Sequence, residues 1–229
     1  MSELIYILGN TGSGKSQGIG KTEKLKLEGL NPKETLLINV AQKRINCDNF
    51  KDFKNSLYVE TKSFSVIKEK LNKAKEVQQI KNIVIDDFQY VWLKTFLDGI
   101  KNRVGLQLYT DLVYDIMSTL ELCTSLRDEQ LVFITSHIEE YNDSDGYNKK
   151  RMMAVGDSTH RRGKPEGLSS IVLYAEGRLS NDKVSKHFRT QGDGVKDTCK
   201  SPFDMFDFEI PNDLGFVEKR VREFWELSK

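Results

Sequence analysis

The sequence predicts a three-layer α/β fold with a mostly parallel sheet that ends in an antiparallel hairpin. Three observations support this prediction. Short β-branched or aliphatic runs alternate with longer stretches of helical apolar periodicity, several of the short runs are apolar throughout, and the last two lie close together in the chain. Fully apolar runs are typical of parallel strands that helices cover on both faces.

The predicted strands follow from these runs in chain order. They are residues 4–8, 35–40, 56–59, 82–86, 131–136, 169–176 and 184–190. The order of strands and helices favours parallel neighbours joined by right-handed crossovers. Only residues 177–183, with Ser180-Asn181-Asp182 among them, separate the last two runs, and this spacing predicts a hairpin.

The predicted helices are the stretches in which apolar side chains recur on one face. One such face follows Ser63 and consists of Ile67, Leu71, Ala74 and Val77. Another ends near Arg127 and consists of Leu108, Leu112, Ile116, Leu120 and Cys123. A helix is expected directly after residue 16, and a last one at about 213–228, packed on the core or extending it. Length predicts one domain over residues 1–229.

Composition limits the class of protein. Hydrophobic residues make up 38% of the chain and charged residues 30%, and no apolar run approaches the ~20 residues that span a bilayer. A soluble, cytoplasmic protein without a membrane partner is expected. The net charge of +1 does not by itself indicate that the protein binds nucleic acid. Three scattered cysteines and three scattered histidines predict neither a disulfide framework nor a zinc site.

A phosphate-binding motif follows the first predicted strand. The segment Gly9-Asn10-Thr11-Gly12-Ser13-Gly14-Lys15-Ser16 fits the P-loop pattern GxxxxGK[ST] at every position. Its glycines let the backbone approach the phosphates closely, Lys15 is expected to reach the β- and γ-phosphates, and the Ser16 hydroxyl to ligate Mg²⁺. The helix expected after it would direct its positive end at the same anion. The motif predicts binding and hydrolysis of ATP with Mg²⁺.

An acidic pair ends the strand predicted at 82–86. In P-loop enzymes, a carboxylate in this position holds magnesium directly or through water, and we assign that role to Asp86. Asp87 is a candidate to orient or deprotonate the attacking water. A solvated or capping aspartate is the alternative for Asp87.

The strand predicted at 131–136 helps to choose the branch of P-loop proteins. A strand lies between the two motifs in sequence, which fits the branch whose phosphate-loop and acid strands are separated by another strand of the sheet. In that branch a polar residue after the strand senses the γ-phosphate. His137, or Ser136, is the candidate, with a buried structural histidine as the alternative. No base-reading N/T-K-x-D motif of GTPases occurs, whereas a small-molecule kinase stays possible.

Several further segments make the family resemblance specific. The chain resembles the phage RecA-like ATPases of the single-strand annealing and recombination type almost from end to end. The matching segments, besides the P-loop, are Asp86-Asp87-Phe88-Gln89-Tyr90, Pro165-Glu166-Gly167 before residues 171–174, Phe188-Arg189-Thr190-Gln191, residues 197–202 and residues 210–214. The resemblance implies a RecA-like core, ATP-dependent action on single-stranded DNA, and assembly into a ring or filament. A single-strand-binding protein is a further candidate partner.

The chain departs from RecA at one catalytic position, and the resemblance implies DNA-binding and subunit-interface residues. RecA has a catalytic glutamate at the end of the strand that follows its P-loop helix, and here that strand ends Asn39-Val40-Ala41-Gln42, without an acid. Either Asp87 takes that role or hydrolysis is slow. The two DNA-contacting loops are expected at 93–106 and 140–168. In the second loop, DNA phosphates could pair with the basic residues Lys149, Lys150, Arg151, Arg161, Arg162 and Lys164. The alternative is that this segment is a solvated surface loop. The candidates for a cation that completes a neighbour's ATP site are Arg189, Lys196 and Lys200.

Three functions therefore stay open from the sequence. The first is an oligomeric, DNA-stimulated ATPase. The second is a helicase loader or adaptor in which ATP only sets the conformation. The third is a nucleotide or nucleoside kinase.

Overall fold

The computed structural model describes residues 1–100, 106–142, 146, 148–154, 164–180 and 183–227. Its strands are β1 (Glu3–Leu8), β2 (Thr35–Asn39), β3 (Tyr58–Glu60), β4 (Asn82–Asp86), β5 (Leu131–Ser136), β6 (Ile138–Asn142), β7 (Asn148–Met152), β8 (Ile171–Ser180), β9 (Lys183–Arg189) and β10 (Glu209–Pro211). Its α-helices are α1 (Phe50–Lys54), α2 (Phe64–Glu76), α3 (Gln89–Ile100), α4 (Leu106–Thr124) and α5 (Leu214–Phe224).

Eight strands form the main sheet, in the order β10-β9-β8-β1-β5-β4-β2-β3. The pairs from β8 to β3 are parallel, whereas β8–β9 and β9–β10 are antiparallel. The strand β5 lies between the strand that precedes the P-loop and the strand that ends in Asp86. The predicted fold class is confirmed, and so is the antiparallel hairpin near the C-terminus.

The strand β1 shows why the molecule has three layers. Because successive side chains point to opposite faces, Leu4, Tyr6 and Leu8 enter one core while Ile5 and Ile7 enter another. The first core is completed by the apolar faces of α2 and α4 and by Val91 of α3. The second is completed by α1, α5 and Ile19. None of the helices that the structure describes is long and apolar enough to cross a membrane.

The helix expected after the P-loop is absent from the structure, which describes residues 9–34 throughout. A single 3-10 turn occupies Gln17–Ile19, and Gly20 is already extended at φ −123° and ψ 173°. A Cβ on Gly18 would lie 2.7 Å from the backbone oxygen of Asn212, and one on Gly20 would lie 2.5 Å from Cys47 Sγ. Close packing therefore fixes two glycines that each disfavour a helix by ~1 kcal/mol. The expected contribution of a helix dipole to phosphate binding is wrong for this chain.

The segment expected as a flexible basic loop contains a second sheet. The strands β6 and β7 pair antiparallel, with Glu139 opposite Arg151 and Glu140 opposite Lys150. Opposite charges in facing positions stabilise such a pair, and the buried Ile138 and Met152 face each other at its base. Lys149, Lys150 and Arg151 therefore lie on a strand instead of a loop, which corrects that part of the prediction.

The first DNA-contacting loop, expected at 93–106, is also different. Residues 89–100 form α3, and Lys94 of that helix pairs with Asp98 one turn later. The remaining residues 101–105 lie outside the described part of the chain.

Candidate phosphate-binding site

The P-loop has a backbone that its glycines make possible. Gly12 and Gly14 have φ angles of 80° and 104°, in the region that side chains with a Cβ disfavour. Gly9 is needed for a different reason, because a Cβ there would lie 2.6 Å from the backbone oxygen of Ala175. The loop begins where Gly9 donates its N–H to the carbonyl of Ser136, at 3.3 Å. The motif thus ties β1, β5 and β8 together at one edge of the sheet.

Lys15 lies folded over the mouth of this loop. Its Nζ donates hydrogen bonds to the backbone oxygens of Gly9, at 2.8 Å, and Asn10, at 2.9 Å, and the residue is only 5% exposed. Burial lowers the pKa of the Lys15 amine to about 8, although the charge of Asp87 opposes that shift. A buried ammonium group whose partners are neutral carbonyls is a site that an anion would stabilise.

Asp86 is the centre of a hydroxyl-lined carboxylate site beneath the loop. The Oγ of Ser16 and the Oγ1 of Thr135 each donate to Asp86 Oδ1, at 2.7 Å in both cases. The other oxygen, Oδ2, is buried and has no hydrogen-bond donor among the described residues. Burial, followed by the charge of Asp87, raises the pKa of the Asp86 carboxyl to about 6. An unpartnered carboxylate oxygen beside a serine hydroxyl is a donor set that fits Mg²⁺.

Asp87 is held in the same site by three contacts. Its backbone N–H donates to Thr135 Oγ1 at 2.8 Å, and its carboxylate pairs with Lys43 Nζ and accepts a hydrogen bond from Gln89 Nε2 at 3.4 Å. The residue is 1% exposed and has a φ of 61°, so a left-handed backbone turns it out of the strand direction. The solvated aspartate that the sequence left open is therefore excluded.

His137 connects the P-loop to this acid. Its Nδ1 is 3.3 Å from Thr11 Oγ1, and its Nε2 is 3.8 Å from Asp87 Oδ1. Burial, followed by the charge of Lys15, lowers the pKa of the ring below its usual value of about 6.5, so the ring is neutral at pH 7. The backbone N–H of His137 donates to Gln89 Oε1 at 3.3 Å. The histidine is a polar group within the site and not a core residue, and Ser136, the other candidate, is buried.

Lys15, Asp87 and His137 line a cavity of about 200 Å³, whereas Asp86 and Thr135 are fully buried beneath it. It is smaller than most whole-ligand pockets and suits phosphate groups. Four cationic side chains and one carboxylate line it: Lys15, Lys43, Arg44, Lys186 and Asp87. The neutral lining residues are Thr11, Gly12, Gly14, Ser16, Gln17, Ile45, Asn46 and His137.

Several polar residues of the site were not predicted, among them Thr135, Lys43 and Lys186. Thr135 carries a readable signal, because it is a hydroxyl residue near the end of an otherwise apolar strand beside the acid strand. Lys43 and Lys186 carry none, since they come from the segment after β2 and from β9, which only the fold brings to the P-loop.

The predicted DNA-binding residues do not gather at this cavity. Arg151 pairs with Glu139 at 2.7 Å and stacks over the ring of Tyr141, and Lys150 lies 3.8 Å from Glu140. Lys149 precedes them on β7, and the exposed Lys164 follows at the start of a 3-10 turn. Arg161 and Arg162 lie outside the described residues.

The candidates for a trans-acting cation lie at the end of β9 and in the segment that follows it. The guanidinium of Arg189 pairs with Glu176 at 2.9 Å and Asp197 at 2.7 Å within its own chain. Lys196 is exposed, and its backbone oxygen accepts a hydrogen bond from Lys150 N. Lys200 is partly buried, and burial lowers the pKa of its amine.

Comparison with known proteins does not identify a family. No protein-family model and no curated protein sequence matches the chain. One similar solved structure is a KaiC-like protein from the hyperthermophilic archaeon Pyrococcus horikoshii, with 12% identity, coverage of 82% of this chain and 77% of that one, and a TM-score of 0.43. A similarity of that size carries no argument about activity. The resemblance to phage RecA-like annealing ATPases therefore stays a prediction.

Proposed function

We propose that this protein binds ATP with Mg²⁺ at residues 9–16 and hydrolyses it. The observation that carries the proposal is the contact between Ser16 and Asp86 under the P-loop, which leaves one buried carboxylate oxygen open. Ser16 and Asp86 would hold the magnesium. A bound magnesium ion would supply positive charge that offsets the negative charge of the phosphates during transfer.

Lys15 would bind the phosphates. Its ammonium group now satisfies the carbonyls of Gly9 and Asn10, and an entering anion offers it a charged acceptor instead. Hydrogen bonds to a phosphate are roughly twice as strong as those to neutral carbonyls. The amine would therefore turn from the loop towards the ligand and become more basic as it does so.

Asp87 and His137 would act on the water and on the γ-phosphate. Asp87 faces the cavity from a fixed position, as a group that orients the attacking water or accepts its proton must do. The neutral His137 ring can donate one hydrogen bond to a phosphate oxygen. Lys43 pairs with Asp87 and so helps to hold its carboxylate in position.

A nucleotide-controlled adaptor is the second candidate, and one observation favours it. The strand that would end in RecA's catalytic glutamate has no acid at its end here. Its last residue is Asn39, whose Nδ2 donates to the Lys43 carbonyl at 2.6 Å and to Tyr58 Oη at 2.9 Å. An amide in those contacts cannot act as a base. If Asp87 does not replace the glutamate, ATP would bind without turnover.

Single-stranded DNA is the macromolecular ligand that we propose for the ATPase, with assembly into a ring or filament. The support is the resemblance to phage recombination ATPases together with the cations of β7. The ion pairs of Lys150 and Arg151 argue that any DNA would have to displace Glu140 and Glu139. Such binding would be weak and sensitive to salt.

The test is the rate of ATP hydrolysis with and without single-stranded DNA, with Lys15→Ala as the control. Turnover that DNA stimulates and that Lys15→Ala abolishes would support the full proposal. Turnover that ignores DNA would remove the DNA ligand and leave the ATPase. Tight binding without turnover would favour the adaptor, and transfer of the γ-phosphate to a small acceptor would favour a kinase.

A further inference from the structure

The strand β9 places one lysine against the P-loop of its own chain. Side chains alternate along a strand, so Lys186 shares a face with Phe188, which is buried in the core beside α5. Arg189 lies on the opposite face, where its guanidinium stacks over Tyr174. The fold therefore points Lys186, and not the neighbouring Arg189, at the phosphate cavity.

The contact between Lys186 and the P-loop is close. A Cβ on Gly14 would lie 2.7 Å from Lys186 Cδ, so the stem of the lysine crosses the glycine where a side chain would otherwise be. Gly14 thus serves two purposes, since its φ of 104° also requires a glycine. The side chain lines the cavity together with Lys15, His137 and Asp87. Among the described residues no carboxylate pairs with Lys186, which leaves its charge available to a ligand.

We propose that Lys186 is a phosphate-binding residue of the same chain's nucleotide site, so that β9 supplies in cis a cation to the bound polyphosphate. The inference rests on the proposed function and adds to it a residue that no P-loop motif contains. Its physical basis is the absence of a helix after the P-loop. A loop without a helix N-terminus behind it provides less positive potential, and Lys186 supplies a cation at the cavity instead.

The positive charge of Lys186 should make the cavity prefer a nucleoside triphosphate to a diphosphate. An added cation matters more as the number of phosphate charges in its reach increases. Removal of Lys186 should therefore weaken binding of the triphosphate more than binding of the diphosphate. It should also reduce the dependence of affinity on salt, because one fewer counter-charge is neutralised on binding.

The experiment measures dissociation constants for Mg·ATP and Mg·ADP by titration calorimetry, at a protein concentration where sedimentation shows a monomer. Lys186→Gln removes the charge and keeps most of the stem, Lys186→Arg keeps the charge, and Lys219→Ala on α5 is the matched surface control, 76% exposed. We expect Lys186→Gln to weaken Mg·ATP binding about tenfold, because it loses a charge-assisted hydrogen bond. Lys186→Arg should stay within about threefold of the wild type if it still reaches the phosphates.

The outcomes separate this inference from the proposed function. If the wild type binds Mg·ATP and Lys186→Gln binds it equally well, the inference is wrong and the ATP site stands. A loss that appears only at concentrations where subunits assemble would also overturn it, since the lysine would then act on a neighbour. If the wild type itself binds no nucleotide, the proposed function fails first. Circular dichroism of each variant shows whether it is folded.

Discussion

Replacement of Thr135 by valine tests whether the carboxylate site is built as described. Valine has nearly the shape of threonine and lacks the hydroxyl. In the wild type this hydroxyl donates to Asp86 Oδ1 and accepts from the backbone N–H of Asp87, at 2.7 Å and 2.8 Å. Both contacts are fully buried, so water cannot replace them.

The expected cost follows from these two contacts. A hydrogen bond to a charged group contributes about 1.5–3 kcal/mol, and a buried N–H left without an acceptor costs about 1–3 kcal/mol. Because the remaining contact from Ser16 compensates in part, we expect a decrease of about 3 kcal/mol in the free energy of unfolding. With a urea m-value of about 3 kcal/mol/M, the midpoint would fall by about 1 M.

The assay is urea unfolding without nucleotide, followed by circular dichroism and tryptophan fluorescence. Thr135→Ser is the matched control, because it keeps the hydroxyl and loses one methyl group, for a cost of about 1 kcal/mol. The reasoning is refuted if the valine variant unfolds at the wild-type midpoint, or if the serine variant is destabilised as much as the valine variant.

Three other substitutions give further expectations. Asp86→Asn should raise the free energy of unfolding by about 1 kcal/mol in metal-free urea titrations at pH 8, because it removes a buried carboxylate that is costly to keep charged. The same substitution should abolish Mg²⁺-dependent ATP binding. A variant that is less stable than the wild type would contradict the expected gain in stability. Arg189→Ala should lower the free energy of unfolding by about 2 kcal/mol, because Asp197 loses its guanidinium partner. This loss should be the same at all protein concentrations. A loss seen only in concentrated samples would instead support a role for Arg189 in a neighbouring subunit's site. Arg127→Ala should lower the thermal midpoint of unfolding by several degrees, because the Arg127 guanidinium donates hydrogen bonds to carbonyls at and just after the end of α2, including that of Ala74. Lys73→Ala is the control and should leave the midpoint unchanged, since Lys73 is an exposed residue of the same helix.

The main sheet could be predicted because its strands are unusually apolar. The runs at 82–86 and 131–136 coincide with β4 and β5, since both are buried on two faces and leave no ambiguity of periodicity. The predicted end of a strand was less accurate where the strand leaves the core. The strand β8 continues to Ser180, beyond the predicted end at residue 176, because its last residues pair with β9 in an exposed hairpin.

The errors arose where local pattern and tertiary packing disagree. The segment after Ser16 follows the sequence rule for a P-loop helix, yet packing against Asn212 and Cys47 fixes Gly18 and Gly20 in another conformation. The hairpin of β6 and β7 was missed because its strands are stabilised by facing charges and carry little apolar alternation.

The carboxylate site could be read from sequence only in part. The spacing of the P-loop and the acid pair gave Lys15, Ser16, Asp86 and Asp87, because their roles depend on neighbours in the chain. The role of Lys186 depends on the position of β9 in the sheet, which no local pattern encodes.

The most direct test of the central proposal is a calorimetric titration of ATP into the protein with Mg²⁺ and with EDTA, for the wild type and for Lys15→Ala and Asp86→Asn. The proposal predicts tight binding by the wild type that depends on Mg²⁺. It predicts a loss of affinity for Lys15→Ala under both conditions, and a loss for Asp86→Asn only when Mg²⁺ is present. Equal binding by all three proteins, or wild-type binding that ignores Mg²⁺, would contradict it.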